Sequence, residues 1–252
     1  MQYFRSLLFT GFMMLTACLF GLLMGIGFWL PYRAQFAIAR TWSRMTIRVL
    51  RWLCHLDYTI EGRENIPPGN HIVMCNHTSA WETMAHFLLI PAQVWVLKRE
   101  LLWIPFVGWG LKLLKPIAIN RGAGHRAVNQ VVEQGKDRLA QGLWVIIFPE
   151  GTRVRAGQPK KYGFSGALLA IETGKFIVPV SHNAGTYWAR RGFLKKAGTI
   201  RLIIGQPIDP KGMNARQLTD ATRDAIESGL ARIASATQPT PAESNRQGGD
   251  LP

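Results

Sequence analysis

Acids and cysteines are both scarce in this sequence. Its 252 residues hold 15 Asp and Glu against 30 Lys and Arg, a formal charge of +15. Such an imbalance calls for an anionic partner: nucleic acid, a membrane surface or an acidic substrate. No nucleic-acid reader motif accompanies the charge, so nucleic acid is not among the expected partners. The three cysteines, Cys18, Cys54 and Cys75, are widely spaced, and no Cys-x-x-Cys occurs. That excludes a disulfide framework and a zinc knuckle and fits a reducing compartment. Cys75 ends the apolar run HIVMC. A small buried side chain suits that place better than a nucleophile. Internal repeats are missing as well.

Charge is also missing locally. Residues 7–30, LLFTGFMMLTACLFGLLMGIGFWL, carry none, and Arg5 and Arg33 flank them. As a helix they would run about 36 Å, enough to cross a bilayer or sink deeply into one. A cleaved signal peptide would have a shorter apolar region and a small-residue exit. Here the exit is Trp29, Tyr32 and Arg33, which matches an interface belt and a retained anchor. In residues 35–56, Arg40, Arg44, Arg48 and Arg51 recur at helical spacing, with Ile38, Trp42, Met45, Val49 and Leu53 on the opposite side. This is a basic amphipathic helix suited to lipid phosphates. The arginines follow the apolar stretch, so the rest of the chain is expected on the cytoplasmic side if that stretch spans.

From residue 58 the pattern alternates. Short apolar runs fall at 58–61, 72–76, 94–97, 117–119, 143–148, 177–180 and 200–204, with helical stretches at 81–89, 125–140, 166–173 and 215–234. Strands alternating with helices predict an α/β fold with a mixed or mostly parallel sheet flanked by helices. Residues 101–114, LLWIPFVGWGLKLL, are broken by Pro105 and Gly108 and read as an interrupted apolar helix or lid. The expected division is a membrane-associated two-helix segment over 1–56, an α/β domain over 57–235, and a disordered tail over 236–252, which lacks apolar anchors.

The stretch CNHTSAWET sets His77 five residues ahead of Glu82. With six His and 15 acids, a given His has an acid at that spacing by chance roughly 6% of the time, so the surroundings must support the pair. His77 follows one predicted strand, and Glu82 lies in the first turn of the next helix. The carboxylate can therefore fold back to hold one ring nitrogen while the other faces a substrate hydroxyl. This is a Ser-His-Asp arrangement without its serine, the substrate alcohol being the missing nucleophile. Ser79 reads as a helix cap or turn residue. Further on, the strand LWVIIF runs into FPEGTR, residues 148–153. Gly151 allows a tight turn whose amides, with Arg153, could grip a phosphate or an oxyanion. Lys98 and Arg121 lie in the basic stretches LKRELLWIPFVG and PIAINRG; IVPV, residues 177–180, can only shape a wall.

In this order and spacing these blocks resemble the glycerolipid acyltransferase family, over about residues 58–207. That family has an NHxSxxD-like block, here residues 76–82. Its K-x-E-L…P…G…R block is here Lys98, Glu100 and Leu101 through Pro105 and Gly108 to Arg121. Its F-P-E-G-T-R block is unaltered at 148–153, and its V-P-V block stands at 178–180. One departure is the acid, usually Asp and here Glu82, one methylene longer.

The resemblance implies transfer of a fatty acyl group from acyl-CoA or acyl carrier protein to the sn-2 hydroxyl of lysophosphatidic acid, giving phosphatidic acid in phospholipid biosynthesis. His77 would be the base of this HX4E motif and Glu82 its orienting acid. Arg153, Arg121 and Lys98 would bind the acceptor phosphate, while Glu150, Gly151, Thr152, Val178 and Pro179 shape the site. No metal or bound cofactor is required. Membrane lipids are the expected surroundings, with the active site at the cytoplasmic face of a bacterial inner membrane. The other histidines, His55, His71, His86, His125 and His182, are expected to be structural or exposed. Two other functions fit the same features. One is acyl transfer to another lyso-lipid, such as lyso-ornithine lipid; the other is binding of anionic lipid without catalysis.

Overall fold

The computed structural model describes residues 1–120, 122, 124–155, 157–158 and 161–236. Among the described residues seven strands form one sheet: β1 (Leu56–Glu61), β2 (Ile72–Cys75), β3 (Gln93–Lys98), β4 (Ile117–Ile119), β5 (Trp144–Ile147), β6 (Ile177–His182) and β7 (Gly198–Ile204). Their order is β1-β7-β6-β2-β5-β3-β4. All neighbours are parallel except β6 and β7, so the sheet is mixed and mostly parallel.

The central strands are apolar on both faces because both faces are covered. In β2, Val73 and Cys75 enter one core with Trp81, Phe87 and Leu50. Ile72 and Met74 enter the other with Leu169, Leu218 and Ile226. The first core lies under α1 (Gln2–Ile26), α2 (Tyr32–Cys54) and α3 (Trp81–Leu89). The second lies under α5 (His125–Ala140), α6 (Ser165–Thr173) and α8 (Ala215–Ser235). A short α4 (Val107–Leu113) packs on α1, and a short α7 (Ala184–Tyr187) follows β6. The seven apolar runs and four helical stretches expected from the sequence are all present. The tail expected at 236–252 lies, after Ala236, outside the described residues.

Helix α1 is dressed in reverse for a helix on a water-soluble body. Its buried residues are Ser6, Thr16 and Gly21 together with Phe9 and Met24, while Leu7, Leu8, Leu15, Leu19, Leu23 and Ile26 are exposed. Polar bonds hold it down. Lys195 Nζ donates to Thr10 Oγ1 at 2.6 Å, the Lys195 amide donates to Ser6 Oγ at 3.0 Å, and Trp42 Nε1 donates to Thr16 Oγ1 at 3.1 Å. A helix with small and polar residues on the protein and large apolar ones outside is built for lipid contact. Its length and mean hydropathy of 2.2 are enough to cross a membrane.

The interrupted segment at 101–114 packs beside α1. A Cβ on Gly21 would lie 2.5 Å from the Phe106 carbonyl oxygen, so only glycine permits this crossing. Trp103, Ile104, Phe106 and Trp109 add exposed apolar surface there. On α2 the most buried line is Phe36, Ala39, Ser43, Ile47, Leu50 and Cys54, one step round from the expected apolar stripe. Ile38, Trp42, Met45, Val49 and Leu53 are half-buried, and the four arginines stay exposed. The helix is wedged between α1 on one side and α3 and β1 on the other, so its buried arc is wider than a single stripe.

Candidate active site

The carboxyl ends of β6, β2 and β5 lie side by side, the place where open α/β sheets hold ligands. Strand β2 delivers Asn76 and His77, β5 delivers Phe148 and Glu150, and β6 delivers His182. His77 Nδ1 lies 2.7 Å from Glu82 Oε1. The same oxygen accepts from the amides of Thr78 at 3.2 Å and Ser79 at 3.0 Å. Ser79 Oγ in turn accepts from the Trp81 amide at 3.2 Å, at the start of α3. The local sequence folds this way because Glu82, in the first turn of α3, reaches back to the amides just ahead of the helix, where a negative charge is favoured.

Glu82 is fully buried. Burial by itself raises a carboxyl pKa, but nearby His182, the hydrogen bond and charge of His77, and the Ser79 amide outweigh it, leaving Glu82 below its ordinary value. The acid is therefore ionised, and Nδ1 of His77 carries the proton it donates to Glu82. The other ring nitrogen, Nε2, is the basic one. The ring is stacked on Phe148, with centroids 3.9 Å apart and planes 15° apart. Its backbone is held by two further elements: the His77 amide donates to Glu150 Oε1 at 3.1 Å, and the His77 carbonyl accepts from the Val154 amide at 2.8 Å.

The imidazole opens into a cavity of about 330 Å³. Trp42, Met84, Phe87, Trp95 and Leu111 make its walls apolar, and Arg153 stands in it with His77. The buried Nε of Arg153 has no hydrogen-bond partner among the described residues. An apolar cavity holding one base and one cation suits an amphiphile with an anionic group.

The structure thus brings together His77, Glu82, Glu150 and Arg153. Gly151 makes the turn at φ +66°, and its amide donates to the Phe148 carbonyl at 2.9 Å. That amide is engaged in the turn and is no oxyanion donor. Thr152 follows, half-buried. Lys98 is not in the cavity; it ends β3, exposed, 3.4 Å from Glu100 Oε1. Val178 and Pro179 pair in register with Val73 and Met74. They stiffen β2 from the neighbouring strand and do not line the cavity. Arg121 lies outside the described residues. Cys75 is buried, and burial with Glu82 and Glu150 nearby pushes its thiol well up, which fits a packing role. Among the described residues no group of three or more His, Cys, Asp and Glu could hold a metal ion.

Two histidines stand behind the pair. His182 Nε2 lies 2.8 Å from the Asn76 carbonyl oxygen and 3.8 Å from Glu82 Oε2. The Asn76 side chain donates to the His182 carbonyl at 3.0 Å and accepts from its amide at 2.9 Å. Burial lowers the pKa of His182 against the pull of Glu82 and the Asn76 carbonyl. It is neutral, with Nε2–H donating, and it fixes the loop that carries His77. His86, one turn after Glu82 on α3, is fully buried, and neither of its ring nitrogens has a hydrogen-bond partner among the described residues. Desolvation, with His182 nearby, pushes it down to about 3. Both are buried, and the close link of His182 to the pair leaves no mark in the local sequence. The sequence also carries a local signal for the pair: the spacing Ser79-x-x-Glu82 suits an acid turned back towards the residues before the helix.

The sequence pattern of the acyltransferase family matches residues 57–183. Over 197 residues the chain is 40% identical to the 1-acyl-sn-glycerol-3-phosphate acyltransferase of Pseudomonas aeruginosa, covering 78% of this chain and 77% of that one. It is 29% identical over 196 residues to the enzyme of the same name from Borreliella burgdorferi, covering 75% and 78%. Its fold is similar to the crystal structure of the 1-acyl-sn-glycerophosphate (LPA) acyltransferase PlsC from Thermotoga maritima. The TM-score there is 0.78 at 23% identity, covering 95% of this chain and 98% of the other.

Proposed function

The chain belongs to the acyltransferase family, and on that premise we propose that it transfers a fatty acyl group from a thioester to the sn-2 hydroxyl of lysophosphatidic acid, yielding phosphatidic acid. The observation that carries this reading is the buried His77–Glu82 pair, 2.7 Å apart, facing an apolar cavity that also holds Arg153. A base, a cation and an apolar trough are what a lysophospholipid and an acyl thioester need in common.

His77 Nε2 takes the proton of the sn-2 hydroxyl as its oxygen attacks the thioester carbonyl. Glu82 stabilises the imidazolium that forms, and the Phe148 ring beneath it favours the same positive charge. The tetrahedral intermediate collapses by breaking the carbon–sulfur bond, and the proton on Nε2 passes to the departing thiolate. The acyl chain lies among Trp42, Phe87, Trp95 and Leu111. Arg153 takes the acceptor phosphate, which in lysophosphatidic acid is only one carbon removed from the carbon that bears the reacting hydroxyl. The same reading gives Lys98 and Arg121 a part in binding the acceptor phosphate.

Residues 1–56 bring the enzyme to its lipid substrate, and residues 57–235 carry the chemistry. The outward leucines of α1 and the exposed arginines of α2 support a location at a bacterial inner membrane, with the site on the cytoplasmic face. The test is acyl transfer by detergent-solubilised full-length protein. Palmitoyl-CoA and palmitoyl-acyl carrier protein serve as donors, and lysophosphatidic acid, lysophosphatidylcholine and lyso-ornithine lipid as acceptors. Phosphatidic acid should dominate. Preference for a phosphate-free acceptor would replace the substrate and keep the chemistry.

A further inference from the structure

A second cavity system opens on the other face of the sheet, away from the apolar trough. Its inner part, about 340 Å³, starts at Asn76 and Thr78, the two neighbours of His77, and passes Arg155 to reach Tyr162 and Glu227. Its outer part, about 540 Å³, shares Tyr162 and Glu227 and continues to Lys161, Arg216 and Arg223. The two arginines lie on one face of α8, braced by the acid between them. Asp220 Oδ1 accepts from Arg223 Nη1 at 2.9 Å, and Asp220 Oδ2 lies 4.0 Å from Arg216 Nε. The Arg223 guanidinium also sits 5.5 Å over the Tyr162 ring. Among the described residues four cations thus line the two parts against three carboxylates: Asp220 is turned to the arginines, Glu150 to the His77 amide, and Glu227 borders both parts, so the positive excess lies in the outer part.

Resting on the acyl-transfer reading above, we propose that this cationic cavity takes the phosphates of the thioester donor. An acyl thioester has an apolar chain on one side of its reacting carbon. On the other it has a long polar arm ending in phosphate. The molecule has the same polarity: an apolar cavity on the α3 side of His77, and a polar one that turns cationic with distance on the α8 side. The acceptor does not fit this second cavity. Its phosphate is tied closely to the reacting hydroxyl and belongs beside His77, where Arg153 stands. The donor's phosphate is separated from the carbonyl by the whole pantetheine arm, and the inner cavity gives that arm a path. Coenzyme A and the prosthetic group of acyl carrier protein share this arm and its phosphate.

The test uses a double variant, Lys161→Gln with Arg216→Gln, in the full-length protein. Arg223 is left in place because it braces Tyr162 and Asp220. With palmitoyl-CoA, kcat/KM should fall about tenfold or more through the donor KM, the scale of lost charged hydrogen bonds. The KM for lysophosphatidic acid should stay as in wild type. With S-palmitoyl-N-acetylcysteamine, a thioester without phosphate, wild type and variant should differ by less than about twofold. An equal loss with both thioesters, no loss with palmitoyl-CoA, or a rise confined to the KM of lysophosphatidic acid would each overturn the assignment. The last outcome would give the cavity to the acceptor. Calorimetric titration with coenzyme A itself keeps the test independent of turnover: wild type should bind at least about tenfold more tightly than the variant, and equal binding refutes the proposal. Failure of wild type to form phosphatidic acid would sink the reading of function, and the titration would still decide the cavity.

Discussion

The Ser79 amide donates to Glu82 Oε1 at 3.0 Å, so the acid that holds His77 is also the acid that starts α3. One carboxylate oxygen gathers three donors: the imidazole and the amides of residues 78 and 79. Glu82→Gln removes the charge that stabilises the imidazolium, and kcat should fall on the order of 10²–10⁴-fold. Glu82→Asp keeps the charge and matches the acid usual in the family, so it should retain far more activity than Gln. It shortens the reach back to Ser79, and its melting temperature should drop. Steady-state rates and thermal melts of the two variants check this; equal activity of Asp and Gln would mean that charge is not what Glu82 supplies.

Arg153 shares the cavity with His77. Arg153→Ala should raise the KM for lysophosphatidic acid and lower kcat/KM by roughly 10–100-fold, the scale of one or two charged hydrogen bonds. The donor KM should hold steady. Initial rates with each substrate varied in turn make the comparison, and an unchanged acceptor KM with unchanged kcat would remove Arg153 from the phosphate.

Leu15 and Leu19 face outward from α1 and are well exposed. Replacing both with Lys should cost about 2.5–3.5 kcal/mol each if they sit at the centre of a bilayer. The variant should leave the membrane fraction while keeping its helical content by circular dichroism. Retention in sedimented membranes would show that α1 does not use this face for lipid.

His86 is buried neutral, held down to about 3 by desolvation. Its unfolded-state value is near 6.5. Between those two values the unfolded chain binds the extra proton, so stability falls as pH drops through the window, and His182 adds to the same trend. Glu82 adds an acid limb lower down: with its native value depressed, its contribution holds above the ordinary carboxyl range and is lost as pH falls through the native value. His86→Leu removes one titrating group without breaking a described hydrogen bond. Denaturant melts from pH 8 to pH 5 should show a shallower loss in the variant. Parallel slopes would mean that His86 does not set the acid limb.

The sheet and the dyad were legible in the sequence because both leave local marks. Strands buried on two faces read as short unbroken apolar runs, and His77, Glu82 and the FPEGTR turn lie within a few residues of the strands that carry them. What was hidden depends on pairing across the sheet. His182 meets Asn76 only because β6 lies beside β2, and 106 residues separate them. The inward face of α1 was hidden for another reason: lipid reverses the rule that apolar residues point to the protein, so a run of leucines does not tell which side packs. Lys98 is a cation at a plausible spacing, but no local pattern announces its pairing with Glu100.

The most direct test of the account is turnover of labelled palmitoyl-CoA and lysophosphatidic acid by wild type and His77→Ala, both purified in detergent and matched by circular dichroism. The prediction is phosphatidic acid from wild type and a rate lower by roughly 10²–10⁴-fold or more in the variant, the worth of a general base. A folded His77→Ala protein that makes phosphatidic acid at close to the wild-type rate would contradict it.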